Sequence, residues 1–342
     1  MDQKGHYRAI DSLKGLFILI ITLHNTLSVT PLFSNIPGTA FITLFGGTLG
    51  NSMFFILSGF LLCAGYKDRI QQHTIPFRDF LLRRLKKLYP MYLLSNGAAL
   101  IVELLRYGVS AINMKKIVFT ALLIGGPYNS PTWFLFALFA CYIVFFAIYY
   151  HAKNPTQYLC SIVAAVVVGY TLLGAELDIL FLRASYGTGY MNFFLGCILA
   201  EVYPLLSKKQ HRWLQPLFLI LVPLLLCLML ANGVEIIAGD VRIAFPFAIC
   251  PMILYLALAD GPCRRILQLK CLVALGRISS CIFFWHLVFY FAFCDLYALF
   301  VPTGSIQEPQ YLLYFLLMTV FSAGMTKLTG RKTASVDKHS GV

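Results

Sequence analysis

The sequence predicts an all-α polytopic membrane helix bundle, with about ten transmembrane helices plus one short re-entrant helix. Three observations carry this. Hydrophobic residues are 59% of the 342-residue chain and charged residues only 12%, more apolar side chain than a soluble core absorbs. The apolar residues come in runs close to the roughly 20 that a helix needs to cross hydrocarbon. The basic residues collect between alternate runs, as they do in cytoplasmic loops.

The runs follow in order, with edges several residues wide. The first, 10–29, begins at Asp11-Ser12-Leu13-Lys14-Gly15 and holds one histidine, His24. The second, 42–65, carries Gly50 to Phe60. The third, 88–105, follows the basic stretch Arg83-Arg84-Leu85-Lys86-Lys87. Ile117 to Gly126 is apolar but too short to cross, and Gly125-Gly126-Pro127 ends it, so it reads as re-entrant. The fourth run, 132–151, opens on Thr132-Trp133 at what reads as the outer face. Then come 157–174, 188–205, 213–232 and 243–259. The ninth, 278–301, holds His286, and the tenth is 310–327.

The positive-inside rule tests the count. With a cytoplasmic N-terminus, 22 of the 27 Lys and Arg fall inside; Arg106, Lys115, Lys116, Arg183 and Arg242 fall outside. Making Ile117–Gly126 a full span would place the later basic clusters outside. Both termini are therefore expected in the cytoplasm of a multi-pass cell-membrane protein, with the lipid bilayer as solvent. The net charge of +13 is mostly this asymmetry, and no nucleic-acid partner is expected. Residues 1–328 read as one membrane domain and 329–342 as a short polar cytoplasmic tail, expected to be disordered. No cleavable leader is expected. The ten cysteines are scattered singly, and no metal site is expected.

Ionisable groups inside a span are costly and point to function. Imidazole suits proton transfer near neutral pH. His24 and His286 therefore read as candidate acid/base groups, or as buried histidines bonding another helix. Asp11 and Lys14, three apart, can pair on one helix face. The basic run at Arg84 and Lys87 suits topology and anionic lipid, or an anionic ligand arriving from the cytoplasm. Trp133 reads as an interfacial anchor or as a stacking surface for sugar.

These segments resemble the acyltransferase-3 family of integral membrane acyltransferases. The resemblance rests on Ile10-Asp11-Ser12-Leu13-Lys14-Gly15 with His24, on Gly50-Asn51-Ser52-Met53-Phe54-Phe55-Ile56-Leu57-Ser58-Gly59-Phe60, and on Arg83 to Pro90, similar to the family's basic helix ending in proline. It rests further on Thr132-Trp133-Phe134-Leu135, and on Leu275-Gly276-Arg277-Ile278-Ser279 running to Phe284-Trp285-His286. The resemblance implies transfer of an acyl group, usually acetyl, from cytoplasmic acyl-CoA (acetyl-CoA) to a hydroxyl of a cell-envelope or exported carbohydrate or glycolipid. Proteins of glycan assembly are then expected partners. It implies His24 as general base with Lys14 and His286 assisting, Arg84 and Lys87 at the coenzyme A phosphates, and Trp133 and Asp11 near the acceptor. One departure stands out. The family places ten residues between its basic residue and its His; here Lys14 and His24 have nine between them, and Asn25 takes the family spacing. Ten steps leave two helical residues about 80° apart and eleven steps about 20°; a local π-bulge, or the reach of the Lys14 side chain, would close that gap. The alternative reading is a proton-coupled transporter or exporter using the same ionisable groups. A third is an acyl-carrying domain serving a separate soluble transferase.

Overall fold

The computed structural model describes residues 3–339 except 37, 176, 178, 180, 232–244 and 302–305. Among these the chain forms helices and no strand: α1 (Gln3–Leu27), α2 (Thr39–Gln71), α3 (Phe77–Tyr107), α4 (Met114–Ala121), α5 (Trp133–His151), α6 (Pro155–Gly174), α7 (Ala184–Leu206), α8 (Leu214–Ala231), α9 (Cys250–Leu258), α10 (Pro262–Leu267), α11 (Lys270–Phe300) and α12 (Glu308–His339). Among the described residues eight helical segments are long and apolar enough to cross a membrane, and they fall on eight of the ten predicted runs. The runs 213–232 and 243–259 fall instead on shorter apolar helices, Leu214–Leu228 and Phe245–Leu258. The segment between those two, 232–244, lies outside the described residues, and Arg242 with it.

Two boundaries differ from the sequence reading. The basic helix does not end at Pro90: α3 runs through it from Phe77 to Tyr107, joining the basic stretch and the span into one element. Proline removes one amide donor, and membrane helices tolerate it where neighbouring groups take up the freed carbonyl. Likewise α12 continues through the polar tail to His339. That tail contains no proline to stop the helix.

Contacts between helices fix their relative directions. On α1 and α11, Asp11 meets Gly276 while Asn25 meets His286, so the two run parallel. On α2, Gly47 meets His24 and Gly50 meets Phe17 and Ile21, so α1 and α2 are antiparallel. The parallel packing of α1 and α11 requires an odd number of crossings between them, as the seven predicted runs that separate them supply. A full crossing by Ile117–Gly126 on top of those runs would make the number even.

That segment instead forms α4, which turns back inside the bundle. Tyr92 Oη donates to the Thr120 carbonyl at 3.0 Å and Tyr89 Oη to the Ala121 carbonyl at 2.6 Å. Tyr92 lies about 22 Å of helix rise below the end of α3 at Tyr107. The return stretch is equally deep. Asn129 donates to the Phe284 carbonyl at 2.7 Å, and Asn129, Pro131 and Thr132 are buried. Thus α5 starts within the bundle. Trp133 does not open its span at an outer interface; its ring packs on Phe55 and Phe134, at 6.2 and 6.4 Å between centroids. Leucines of α12 such as Leu312 and Leu316 are exposed, as a lipid-facing stripe must be.

Candidate active site

The site is built on α1, which presents different residues to two neighbours. Asp11, Gly15 and Asn25 face α11, and Phe17, Ile20, Ile21 and His24 face α2. Close approach is allowed by glycine. A Cβ on Gly15 would lie 2.8 Å from the Gly276 amide nitrogen, and one on Gly276 would run into the Asp11 carbonyl. The helix is regular from Gln3 to Leu27, with no π-bulge to absorb the shortened spacing. Lys14 and His24 therefore point apart. Lys14 pairs with Asp11 at 3.2 Å, while His24 turns to α2.

His24 is half-buried, and its Nδ1 lies 3.3 Å from the Ile42 carbonyl. A carbonyl only accepts, so in the neutral ring this bond requires the proton on Nδ1 and leaves the lone pair on Nε2. Nε2 makes no hydrogen bond to the described residues and lies over Gly47. A Cβ at Gly47 would sit 2.6 Å from Nε2 and 2.7 Å from Cδ2. The glycine holds open the space beside the one ring atom able to take a proton.

His286 is fully buried and bonded differently. Its Nδ1 lies 3.1 and 3.0 Å from the carbonyls of Ile282 and Phe283, and so carries the proton. Its Nε2 accepts from the Asn25 amide at 3.1 Å. Both ring nitrogens are engaged. Tyr314 Oη donates to the His286 carbonyl at 2.9 Å, and Thr26 shares a 2.6 Å hydrogen bond with Tyr311. This group ties α1, α11 and α12 together beside His24. The sequence reading placed Asn25 at the family spacing without a partner; its partner is visible only across the α1–α11 contact.

About 15 Å of helix rise separates His24 from Lys14, and the basic residues gather at Lys14's end. Lys87 is solvent-accessible, and the charges of Lys14, Arg84 and Asp11 all act on it. The structure therefore brings together two groups the sequence treated separately, the Asp11–Lys14 pair and the Arg84–Lys87 pair. Arg84 lies 4.6 Å above the Tyr66 ring, and its Nε is buried with no hydrogen-bond partner among the described residues. A buried guanidinium N–H without an acceptor is costly. Three cations against one carboxylate leave this end of the bundle electropositive.

Asn129 was missed by the sequence reading. It joins α3, α11 and the start of α5: its backbone amide donates to Asn96 Oδ1 at 2.9 Å, its side-chain amide reaches Ser95 and Phe284, and its own Oδ1 is buried without a donor among the described residues. The Ser-Pro turn beside it was the signal, since an Asn before such a turn is often held by its side chain. Glu201, to which the sequence gave no role, pairs with Lys67 at 2.7 Å. The same ammonium donates to Tyr158 at 2.9 Å, tying α2, α6 and α7.

A family model described as an acyltransferase domain matches residues 7–327. The chain belongs to the acyltransferase-3 family. Its acyltransferase-3 domain occupies essentially the whole chain, and the protein is a membrane acyltransferase. No curated protein and no solved structure matches it. In this acyltransferase-3 domain, His24 and the Lys14–Arg84–Lys87 cluster lie at two levels of one bundle. Of His24 and His286, His24 is the one with an uncommitted ring nitrogen.

Proposed function

We propose that this acyltransferase-3 protein transfers an acyl group, acetyl in the simplest case, from acyl-CoA to a hydroxyl of a cell-envelope or exported carbohydrate or glycolipid. The observation that carries the reading is the contrast between the two histidines. His24 has a free Nε2 lone pair beside Gly47, whereas His286 has none.

The donor's phosphates bind at Arg84, Lys87 and Lys14. The buried, unpartnered Arg84 Nε supports this, because a phosphate oxygen is the acceptor it lacks. The cluster is taken to face the cytoplasm, in keeping with the charge count. The long thiol arm then runs along α1 toward His24. As the acceptor oxygen attacks the thioester carbonyl, His24 Nε2 takes its proton. The carbon–sulfur bond breaks, and the thiolate leaves with the proton returned from the imidazolium. The Ile42 carbonyl accepts from Nδ1–H and steadies the cationic ring. His286 positions Asn25 and the α1 backbone through its hydrogen bonds, and is a positioning residue in this scheme. Asp11 holds Lys14 in place. Trp133, packed on Phe55, offers an aromatic wall inside the bundle against which an acceptor sugar can stack.

The test is His24→Asn, which keeps a polar side chain and loses the base. Release of thiol from acetyl-CoA by purified protein, with envelope extract as acceptor, is expected to fall by about 10²–10⁴-fold. Normal turnover in a folded His24→Asn protein would remove His24 from the mechanism.

A further inference from the structure

Between α4 and α5 the backbone is irregular deep in the bundle. Such backbone survives in a membrane only where its polar groups find partners inside the protein or line a water-filled cavity. Leu123 ends α4 at φ 56°, a left-handed conformation that a leucine resists. Its amide donates to the Thr120 carbonyl at 3.1 Å, and the Ile124 amide to the Phe119 carbonyl at 3.0 Å. The carbonyls left over are capped by phenols. Tyr89 Oη donates to the Ala121 carbonyl at 2.6 Å and Tyr186 Oη to the Ile124 carbonyl at 3.1 Å. Neither carbonyl has another donor among the described residues. Tyr92 Oη adds its 3.0 Å bond to the Thr120 carbonyl. Tyr89 and Tyr92 stand on α3 and Tyr186 on α7, so this hairpin of α4 and its return stretch is clamped from two sides.

The clamp lies level with the candidate base. Trp285 Nε1 donates to Met91 Sδ at 3.2 Å, which puts Tyr89 and Tyr92 at the height of His286. His286 in turn meets Asn25, next to His24. The return leg is closed on the inside, by Asn129 donating to the Phe284 carbonyl at 2.7 Å and Asn96 to Thr132 Oγ1 at 3.2 Å. The other side is open. A pocket of about 290 Å³ lies there, lined by Lys115 and Phe119 of α4, by Gly126 and Pro127, and by Arg183 before α7. Gly126 is exposed, whereas Tyr128 and Asn129 are buried. From Gly126 to Asn129 is three residues, at most about 11 Å of chain. A thin wall thus stands between an open pocket and the interior at the height of His24.

We propose that Tyr89, Tyr92 and Tyr186 are positioning residues for acyl transfer, holding the α4 hairpin as the wall that keeps outside water from the thioester. The inference rests on the acyl-CoA reading above. A water oxygen that reached the acyl carbon beside His24 would bond to it as the acceptor oxygen does, and the carbon–sulfur bond would break. One water proton would pass to the thiolate and the other would ionise from the acid, giving acetate and free thiol in place of the ester. Each phenol satisfies a carbonyl that would otherwise draw in a water. Removing the hydroxyl alone therefore admits water at the height where it competes with the acceptor.

A change of Tyr to Phe keeps the ring and removes only the hydroxyl. With the purified full chain and acetyl-CoA, thiol release without acceptor measures hydrolysis; with envelope extract, thiol released in excess of acetate measures transfer. Tyr89→Phe and Tyr186→Phe are each expected to raise acceptor-independent thiol release about three- to tenfold at unchanged donor KM, and Y89F/Y186F at least about tenfold. Hydrogen exchange over residues 119–133 is expected to quicken alongside. Tyr107→Phe, whose ring is 65% exposed at the end of α3, is the control and should match the wild type. Every variant is read at a melting temperature matched to the wild type. If the double variant does not fold, the single ones decide. Unchanged acceptor-independent release in Tyr89→Phe and Tyr186→Phe, or hydrolysis and transfer falling in the same proportion, would overturn the wall. Wild-type protein that leaves acetyl-CoA intact in the presence of envelope extract would instead overturn the acyl-transfer reading, and hydrogen exchange would still decide whether the hydroxyls hold the hairpin.

Discussion

Gly47→Ala tests the candidate base without touching it. The new methyl carbon would start 2.6 Å from His24 Nε2 and 2.7 Å from Cδ2, while an ordinary carbon contact begins near 3.4 Å. The ring must therefore move by about 0.8 Å, because Gly47 sits within the long helix α2 and its backbone is the harder part to shift. A misplacement of about 1 Å in a reacting group costs on the order of 10²-fold in rate. The expected result is a fall of about 10²-fold in kcat for thiol release from acetyl-CoA. The donor KM is expected to stay unchanged, since Arg84 and Lys87 lie at the level of Lys14, about 15 Å away along α1. Stability should change little, because alanine's better helix propensity, about 1 kcal/mol, offsets the local crowding. Gly65→Ala is the control in the same helix. Nothing lies within 4 Å of a Cβ there, so full activity is expected. A folded Gly47→Ala protein with wild-type kcat would refute the argument, because the space over Nε2 would then have no part in the reaction.

Further outcomes follow from the same geometry. Arg84→Ala combined with Lys87→Ala should raise the donor KM by at least about tenfold and leave acceptor saturation alone, measured by titrating acetyl-CoA; an unchanged KM would reduce the cluster to a topology signal. Gly276→Ala would drive a methyl group into the Asp11 carbonyl, backbone against helix, so we expect destabilisation of at least about 1–3 kcal/mol and a lower melting temperature in detergent. A cysteine placed at Ser185 should react with an impermeant reagent outside intact cells and one at Ser335 should not; the reverse would invert the topology. His286→Gln should lower the melting temperature more than it lowers the rate per folded molecule, because both ring nitrogens serve packing contacts.

The sequence by itself determined the class, the order of the spans and the residue types at the site. These are properties of local composition: apolar length sets what can cross a bilayer, and the Lys and Arg bias sets direction. Even the reversal at Gly125-Gly126-Pro127 was written locally, in residues that end a helix. Tertiary structure decided what depends on which faces meet. A one-residue change of spacing turns His24 to α2 and Asn25 to α11, and only the packed neighbours show that Gly47 leaves Nε2 open while His286 has both nitrogens committed. Trp133 and Pro90 were misplaced for a related reason. An aromatic beside a turn, or a proline after a basic run, looks the same at an interface and inside a bundle, and α4 folding back is what carries Trp133 inward. Lys14 joined Arg84 and Lys87, and Lys115 joined Arg183, across more than 60 residues of chain. Charge converges in space through helix packing, which no window of sequence contains.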